Sequence, residues 1–207
     1  MGESENLATS AMSLDLFPAD IHQRFHMEER GHACAILHRD FADEFGDLLA
    51  CLRSFTLRRS DILAPGKNKT TIAGSIDQFL AARGWRERKF NVEIVVDGET
   101  RPMPTHKIDN VKGRVGIEVE WNNKDTFYDR DLNNFRILHE LDILSVGVII
   151  TRMTELQTLF NDLGKGPSYG ASTTHWDKLM PRVSGGGAGG CPLLLIGMGL
   201  DSYDPNA

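Results

Sequence analysis

The 207-residue chain has little cysteine and lacks long apolar runs, and both shortages exclude broad classes of protein. Its three cysteines, Cys34, Cys51 and Cys191, are too few and too scattered for a disulfide framework or a cysteine-based zinc site, and they are typical of reduced thiols. No apolar stretch reaches the roughly 18 residues that span a bilayer. The N-terminus also has no basic region followed by an apolar one, as a signal peptide would. We therefore expect a cytoplasmic protein with no membrane partner.

The motifs of several enzyme classes are missing as well. The stretch GKNKTT (66–71) fails as a phosphate-binding loop, because Gly66-Lys67 is followed by Asn68 instead of Ser or Thr and the upstream glycine is absent. His22 and His26 are spaced for one helix face, but no glutamate follows His22 as in zinc proteases. We therefore interpret both as surface or core histidines. No G-x-S-x-G elbow of a serine hydrolase occurs.

The net charge of −6 hides a basic segment. Between Arg53 and Asn91 there are nine lysines and arginines against three acids, a local excess of six, so the remainder carries −12. A basic segment beside an acidic cluster suits an enzyme that holds a polyanion together with a metal. A solvated basic surface would give the same count, and the charge alone leaves both interpretations open.

The hydrophobic pattern predicts an α/β fold. Apolar residues at three- and four-residue steps predict helices over 28–55, 74–84 and 126–141. Alternating or continuous apolar runs predict strands over 90–96, 114–121, 144–151 and 192–198. We expect a central mixed β-sheet flanked by helices on both faces. Residues 1–17 are expected to be loose, and residues 18–207 to form a single domain.

Three acids lie in the stretch DNVKGRVGIEVEW (109–121), where the pattern predicts a turn followed by a strand. On that strand, Glu118 and Glu120 point to the same face, roughly 6.5–7 Å apart. Asp109, in the turn, can fold back beside them. Three oxygen ligands suit Mg²⁺, which activates water for attack on a phosphate. Acids on the wet face of an ordinary strand produce the same pattern, so both interpretations stay open.

The order and spacing of several segments resemble the catalytic core of the BamHI/BglII group of type II restriction endonucleases, in the PD-(D/E)xK nuclease superfamily. That group has an acid in a turn and then E-x-[E/Q] on the next strand, which matches Asp109, Glu118 and Glu120. Most of the superfamily has lysine at the last position. GSIDQFL (74–80) is similar to the group's upstream helix and places Asp77 in its acidic role. Together with 121–151 and 175–203, the resemblance covers roughly residues 30–204.

The resemblance implies a Mg²⁺-dependent homodimer that cleaves duplex DNA at a short palindrome and leaves 5′-phosphate ends. It implies that one or two ions are held by Asp109, Glu118, Asp77 and the Val119 carbonyl. Glu120 would position or deprotonate the attacking water. Candidate DNA contacts, by their position, are Asn122, Asn123, Lys124, Asp125, Ser172, Thr173, Thr174, His175, Lys67 and Lys69.

Two alternatives stay open at this stage. The chain could be a less specific repair or defence nuclease, or a DNA-binding protein on the same fold that does not cleave. Acids at all four expected positions favour a cleaving enzyme. The resemblance also leaves open whether a cognate DNA methyltransferase acts on the same site.

Overall fold

The described part of the chain contains ten strands and nine α-helices. The computed structural model describes residues 11–64, 70–103, 105–124, 127–170 and 172–207. The strands are β1 (Phe25–Arg30), β2 (Leu57–Arg58), β3 (Arg86–Lys89), β4 (Val92–Val96), β5 (Glu99–Met103), β6 (Lys107–Lys112), β7 (Val115–Glu120), β8 (Val146–Arg152), β9 (Leu193–Met198) and β10 (Tyr203–Asp204). The helices are α1 (Ala11–Leu14), α2 (Ala19–His22), α3 (Ala33–Asp40), α4 (Ala42–Ser54), α5 (Arg59–Leu63), α6 (Thr71–Ala81), α7 (Phe127–Glu140), α8 (Leu156–Asp162) and α9 (Trp176–Ser184).

Six of the strands form one mixed sheet in the order β1-β9-β8-β7-β6-β3. Its centre, β7-β8-β9, is parallel, whereas β1, β6 and β3 pair antiparallel with their neighbours. Every residue of β7, β8 and β9 is buried, as is usual for strands covered on both faces. The predicted α/β fold with a central mixed sheet is confirmed.

Two helical layers cover the sheet, and alternate residues of its strands face one layer or the other. Val148 and Ile150 of β8 pack in the core that includes α3, α4 and α6. Ile149 packs in the core that includes α7 and α9. α7 lies close to the sheet because two glycines, Gly116 and Gly147, pair side by side beneath it. A Cβ at Gly147 would come within 2.6 Å of the Phe135 ring.

The long helix predicted over 28–55 is wrong, since a strand and two helices occupy this segment. β1 pairs with β9 along its whole length, and Phe25, Met27 and Glu29 point inward in alternation. The chain then reverses at Gly31 and His32, whose φ angles are 63° and 58°. β1 contains too few apolar residues to show its two-residue period, so its pairing with β9 decides its conformation.

Two further segments differ from the expectation. Residues 92–96 form a strand as predicted, but β4 and β5 make a separate hairpin outside the main sheet. Of the segment expected to be loose, residues 1–10 lie outside the described residues, whereas residues 13–17 pack against the domain: the Ser13 hydroxyl donates to Glu29 and Phe17 is 2% exposed. Within the described ranges, every helix is too short or too polar to span a bilayer.

Candidate active site

The acids of residues 109–121 meet where β6 and β7 pair as antiparallel strands. Asp109 belongs to β6 rather than to a turn, and the chain reverses after it at Gly113, with φ of 53°. The Asp109 N–H donates to Glu118 Oε2 at 3.1 Å. Asp109 Oδ2 in turn accepts the Val119 N–H at 3.4 Å. Strand pairing, instead of a folded-back turn, therefore brings Asp109 to Glu118.

Glu118 and Glu120 are both 2% exposed, so neither lies on a wet strand face. They pair with Ile149 and Thr151 of β8, on the side of the sheet that α7 covers. Asp131 of α7 is 0% exposed and shares a hydrogen bond with Glu120. The two glutamates point to the same face, as the alternation indicates, but that face is covered by a helix.

Burial and mutual repulsion raise the pKa of three carboxyl groups in this cluster. Burial raises the pKa of Glu118 well above its usual range, and the charges of Asp131 and Asp109 add to the effect. Burial and the neighbouring Asp131 raise the pKa of Glu120 to about 9. Burial raises the pKa of Asp131 to about 6. Carboxyl groups held this close favour binding a proton or a cation, because either one relieves the repulsion.

The oxygen donors of the cluster fit a divalent cation. Glu118 Oε1 is buried, and no described residue donates a hydrogen bond to it. Carboxylate oxygens are the ligands that Mg²⁺ prefers. In the described ranges, no group of three His, Cys, Asp or Glu side chains is arranged to hold a metal ion as these side chains stand. Since Glu120 and Asp131 are bonded to each other, their side chains would have to turn to admit an ion.

Asp77 lies on the other side of the sheet from the two glutamates. Its helix, α6, packs on the face that contains Val115, Ile117 and Val119. Asp77 Oδ1 accepts a hydrogen bond of 2.6 Å from the Asn110 side chain on β6. The structure thus brings Asp109, Glu118 and Glu120 together and does not bring Asp77 to the glutamates.

Asp131 is the acid that the sequence pattern did not reveal. An acid on an amphipathic helix is expected to face solvent. Its position in the sequence could have indicated its burial, because Asp131 falls within the apolar stripe of Tyr128, Leu132 and Phe135, which are all buried. An acid on the buried stripe of a helix that covers the strand of Glu118 and Glu120 is a candidate for the same site.

A cavity of about 260 Å³ opens beside Asp109. Val119, Asn123 and Ala73 form part of its wall, and Glu87 of β3 lines it from the edge of the sheet. β3 is exposed along its length and carries Arg86, Arg88 and Lys89. Two acids, Asp109 and Glu87, therefore line this cavity, and the basic residues of β3 do not.

Comparison with known families decides the class of enzyme. The family model described as restriction endonuclease BglII/BglIII matches residues 25–198, from the first residue of β1 to the last of β9. The chain belongs to the BglII/BglIII restriction endonuclease family. It is therefore a nuclease that acts on DNA. A comparison with curated protein sequences gives no match.

In this member of the BglII/BglIII endonuclease family, the two loops expected to read DNA lie against each other. The Asn123 N–H donates to Thr174 Oγ1 at 3.0 Å, and the Thr174 N–H donates to the Asn123 carbonyl at 2.8 Å. Lys124 and Thr173 form a single β-bridge. The Asn122 side chain donates to the Ser168 carbonyl at 3.0 Å. The loops after β7 and before α9 therefore form one unit.

Burial separates the candidate DNA contacts of the endonuclease into two groups. Lys124 and Ser172 are exposed, whereas Thr173 and Thr174 are only 5% and 3% exposed and hold the loops together. The His175 ring nitrogen Nδ1 bonds Thr154 Oγ1 at 3.1 Å. The remaining candidates, Asp125, Lys67 and Lys69, lie outside the described residues.

Proposed function

We propose that the protein is a Mg²⁺-dependent type II restriction endonuclease that acts as a homodimer on a short palindromic site in duplex DNA. It would hydrolyse one phosphodiester bond in each strand and leave 5′-phosphate and 3′-hydroxyl ends. The observation that carries this proposal is the cluster of Asp109, Glu118, Glu120 and Asp131, which lies directly beside the paired loops.

Each acid in the cluster would have its own task. Asp109 and Glu118 would hold Mg²⁺ together with the Val119 carbonyl, and the bound ion would supply charge stabilisation for in-line displacement at phosphorus. Glu120 would position or deprotonate the attacking water; it could accept the proton once a bound cation offsets the burial and the repulsion that raise its pKa. Asp131 would hold Glu120 in position through their hydrogen bond. The Glu118 oxygen that no described residue satisfies supports its assignment as a ligand.

Asp77 would act at a distance from the reacting atoms. Its hydrogen bond to Asn110 fixes the β6 residue that follows Asp109. In this proposal Asp77 therefore orients Asp109 through β6, and the site is completed by Asp131 on the opposite face. Asp77→Asn would keep a polar group for the Asn110 side chain and should reduce cleavage activity less than Glu118→Gln does.

The symmetry of the substrate supports a dimer. A palindromic duplex has twofold symmetry, and one active site cuts one strand, so two copies related by a twofold axis would cut both. The exposed Lys124 and Ser172 are the candidates for contacts to base edges. The arginines and lysine of β3 would contact phosphates, where sequence is not read.

Sequencing the ends of digested DNA tests the proposal. Mixed-sequence plasmid DNA would be incubated with the full-length protein and MgCl₂, and the fragment ends sequenced. Discrete ends that share one palindromic sequence are expected. Ragged ends would indicate a less specific nuclease, and binding without cleavage would indicate a DNA-binding protein.

A matched pair of variants ties cleavage to the proposed site. Glu118→Gln should abolish cleavage while the protein stays folded, because the amide keeps the shape of the side chain but loses its charge. Glu29→Gln changes another buried strand glutamate, which accepts the Cys34 N–H at 2.9 Å, and should still cut. Retained cleavage in Glu118→Gln would remove Glu118 from the mechanism.

A further inference from the structure

Arg152, the last residue of β8, is a buried cation directly beneath the second loop. It is 1% exposed, and its Nη2 donates to the Tyr169 carbonyl at 3.2 Å and to Thr173 Oγ1 at 3.1 Å. Nothing in the described part of the chain accepts a hydrogen bond from its Nε and Nη1. Burial lowers its pKa to about 10, so the guanidinium keeps its charge at neutral pH.

Aromatic rings hold the guanidinium in one place. Its Cζ lies 5.4 Å from the centre of the Phe160 ring, within the range of a cation–π contact. Phe160 stacks on Tyr169 with ring centres 4.0 Å apart. Trp121, which directly follows Glu120, packs edge-on against both rings. The aromatic residues around Arg152 therefore include Trp121, the residue that follows the last residue of β7.

Stability alone does not explain an arginine at this position. A buried charge with unsatisfied N–H groups lowers the stability of the fold. An apolar side chain of similar volume often stabilises a core equally well or better. Hydrogen bonds from a guanidinium are, however, strong and directional. Arg152 is therefore better suited to fixing the conformation of its two acceptors than to stabilising the core.

The two acceptors, Tyr169 and Thr173, belong to the segment 168–175, whose described residues are 168–170 and 172–175. Hydrogen bonds through Asn123 connect this segment to Glu120. Thr173 accepts from Arg152 and forms the bridge to Lys124. Thr174 bonds the backbone of Asn123, and the Asn123 side chain donates to Glu120 Oε2 at 2.7 Å. If the segment moved where it contacts Arg152, both the exposed loop surface and Glu120 would therefore change position.

On the basis of the proposed function, we propose that Arg152 is a positioning residue that sets the conformation of segment 168–175 and thereby the choice of DNA sequence that the enzyme cuts. Arg152 would not touch DNA. Its effect would pass through Thr173 to the residues that do.

The test compares Arg152→Met and Arg152→Lys with wild type on mixed-sequence plasmid DNA, with fragment ends sequenced at several digestion times. A variant that is only less folded cuts every site more slowly by the same factor. Arg152→Met should instead lower the ratio of cleavage at the preferred site to cleavage at its single-base variants by about tenfold or more. Arg152→Lys, which keeps the charge and one donor direction, should restore part of this ratio.

Arg24→Met is the matched control. Arg24 also donates to backbone carbonyls, but to those of Leu52, Arg53 and Phe55 at the C-terminal end of α4 instead of either loop. Its loss should lower the melting temperature and leave the cleavage ratio unchanged. A cleavage ratio in Arg152→Met equal to that of wild type would overturn the proposed role.

Amide hydrogen exchange of the DNA-free protein gives a readout that does not depend on cleavage. Exchange of residues 168–175 should be at least about tenfold faster in Arg152→Met than in wild type, and unchanged in Arg24→Met. Unchanged exchange in Arg152→Met would also overturn the role of Arg152.

The failure of this role can be distinguished from the failure of the proposed function. If wild type cut at no discrete sequence, the proposed function would fail. If wild type cut at one discrete sequence and Arg152→Met showed the same cleavage ratio, only the positioning role would be refuted. If Arg152→Met does not fold, Arg152→Lys carries both measurements.

Discussion

The Asn123 side chain donates a hydrogen bond of 2.7 Å to Glu120 Oε2, while its backbone bonds Thr174 of the second loop. One residue therefore connects the loop unit expected to read DNA with an acid expected to act on water. In Glu120 this bond opposes the effect of burial, since it lowers the pKa that burial raises. Asn123, predicted from its position to contact DNA, is thus also a neighbour of the acid cluster proposed to be catalytic.

Removing this contact should slow cleavage more than it weakens DNA binding. In Asn123→Ala the carboxyl of Glu120 loses its amide partner, and we expect the single-turnover cleavage rate to fall about 10–100-fold. DNA affinity, measured with Ca²⁺ in place of Mg²⁺, should change much less. Asn122→Ala is the control, because the Asn122 amide reaches the Ser168 carbonyl instead of an acid. Equal rate losses in the two variants would contradict the assignment.

Divalent metal should stabilise the protein against heat. At a metal concentration of 100 times the dissociation constant, binding contributes about 2.7 kcal/mol. For a domain of this length that is a rise in melting temperature of about 5–10 °C. Thermal unfolding with EDTA, MgCl₂ or CaCl₂ measures it, and Glu118→Gln should lose most of the shift. A melting temperature that saturating metal leaves unchanged in wild type would make the metal site untenable.

Neutralising Asp131 should stabilise the metal-free protein and weaken its response to metal. Burial raises the pKa of Asp131 to about 6 even though Arg130 donates to its carboxyl at 3.3 Å, so ionised Asp131 destabilises the fold above that pH. We therefore expect Asp131→Asn to raise the free energy of unfolding by about 1 kcal/mol or more at neutral pH. Urea unfolding in EDTA measures this. The control is Asp129→Asn, two residues earlier on α7, which removes an exposed ion pair with Arg182 at 2.9 Å. The free energy of unfolding should change there by no more than about 0.5 kcal/mol. Destabilisation of Asp131→Asn would show that its charge is already compensated.

Filling the space at Gly147 should disturb the docking of α7. A Cβ there meets three Phe135 ring atoms within 3 Å, and overpacking of this kind costs about 1–3 kcal/mol. Because α7 carries Asp131, Gly147→Ala should also slow cleavage. Gly46→Ala in α4 is the matched control, since no described atom lies within 4 Å of its added Cβ, and it should stabilise by about 0.5–1 kcal/mol. Denaturant unfolding of both variants checks the opposite signs.

The central strands and the three acids of residues 109–121 were predictable because they depend on short-range features of the chain. The apolar runs of β8 and β9 can be satisfied only by burial on both faces. The two-residue spacing of Glu118 and Glu120 places their side chains on one face of any strand. The order of these segments was also sufficient to indicate the family that the match over residues 25–198 establishes.

Three features were decided only by the tertiary structure, because each depends on contacts between distant segments. β1 is a strand since β9, at the far end of the chain, pairs with it. Asp131 reaches Glu120 because two glycines on neighbouring strands let α7 approach the sheet. The loops after β7 and before α9 meet through Asn123 and Thr174, which are 51 residues apart. Residue spacing along the chain determines which face a side chain occupies, but packing determines whether that face is wet or covered by a helix.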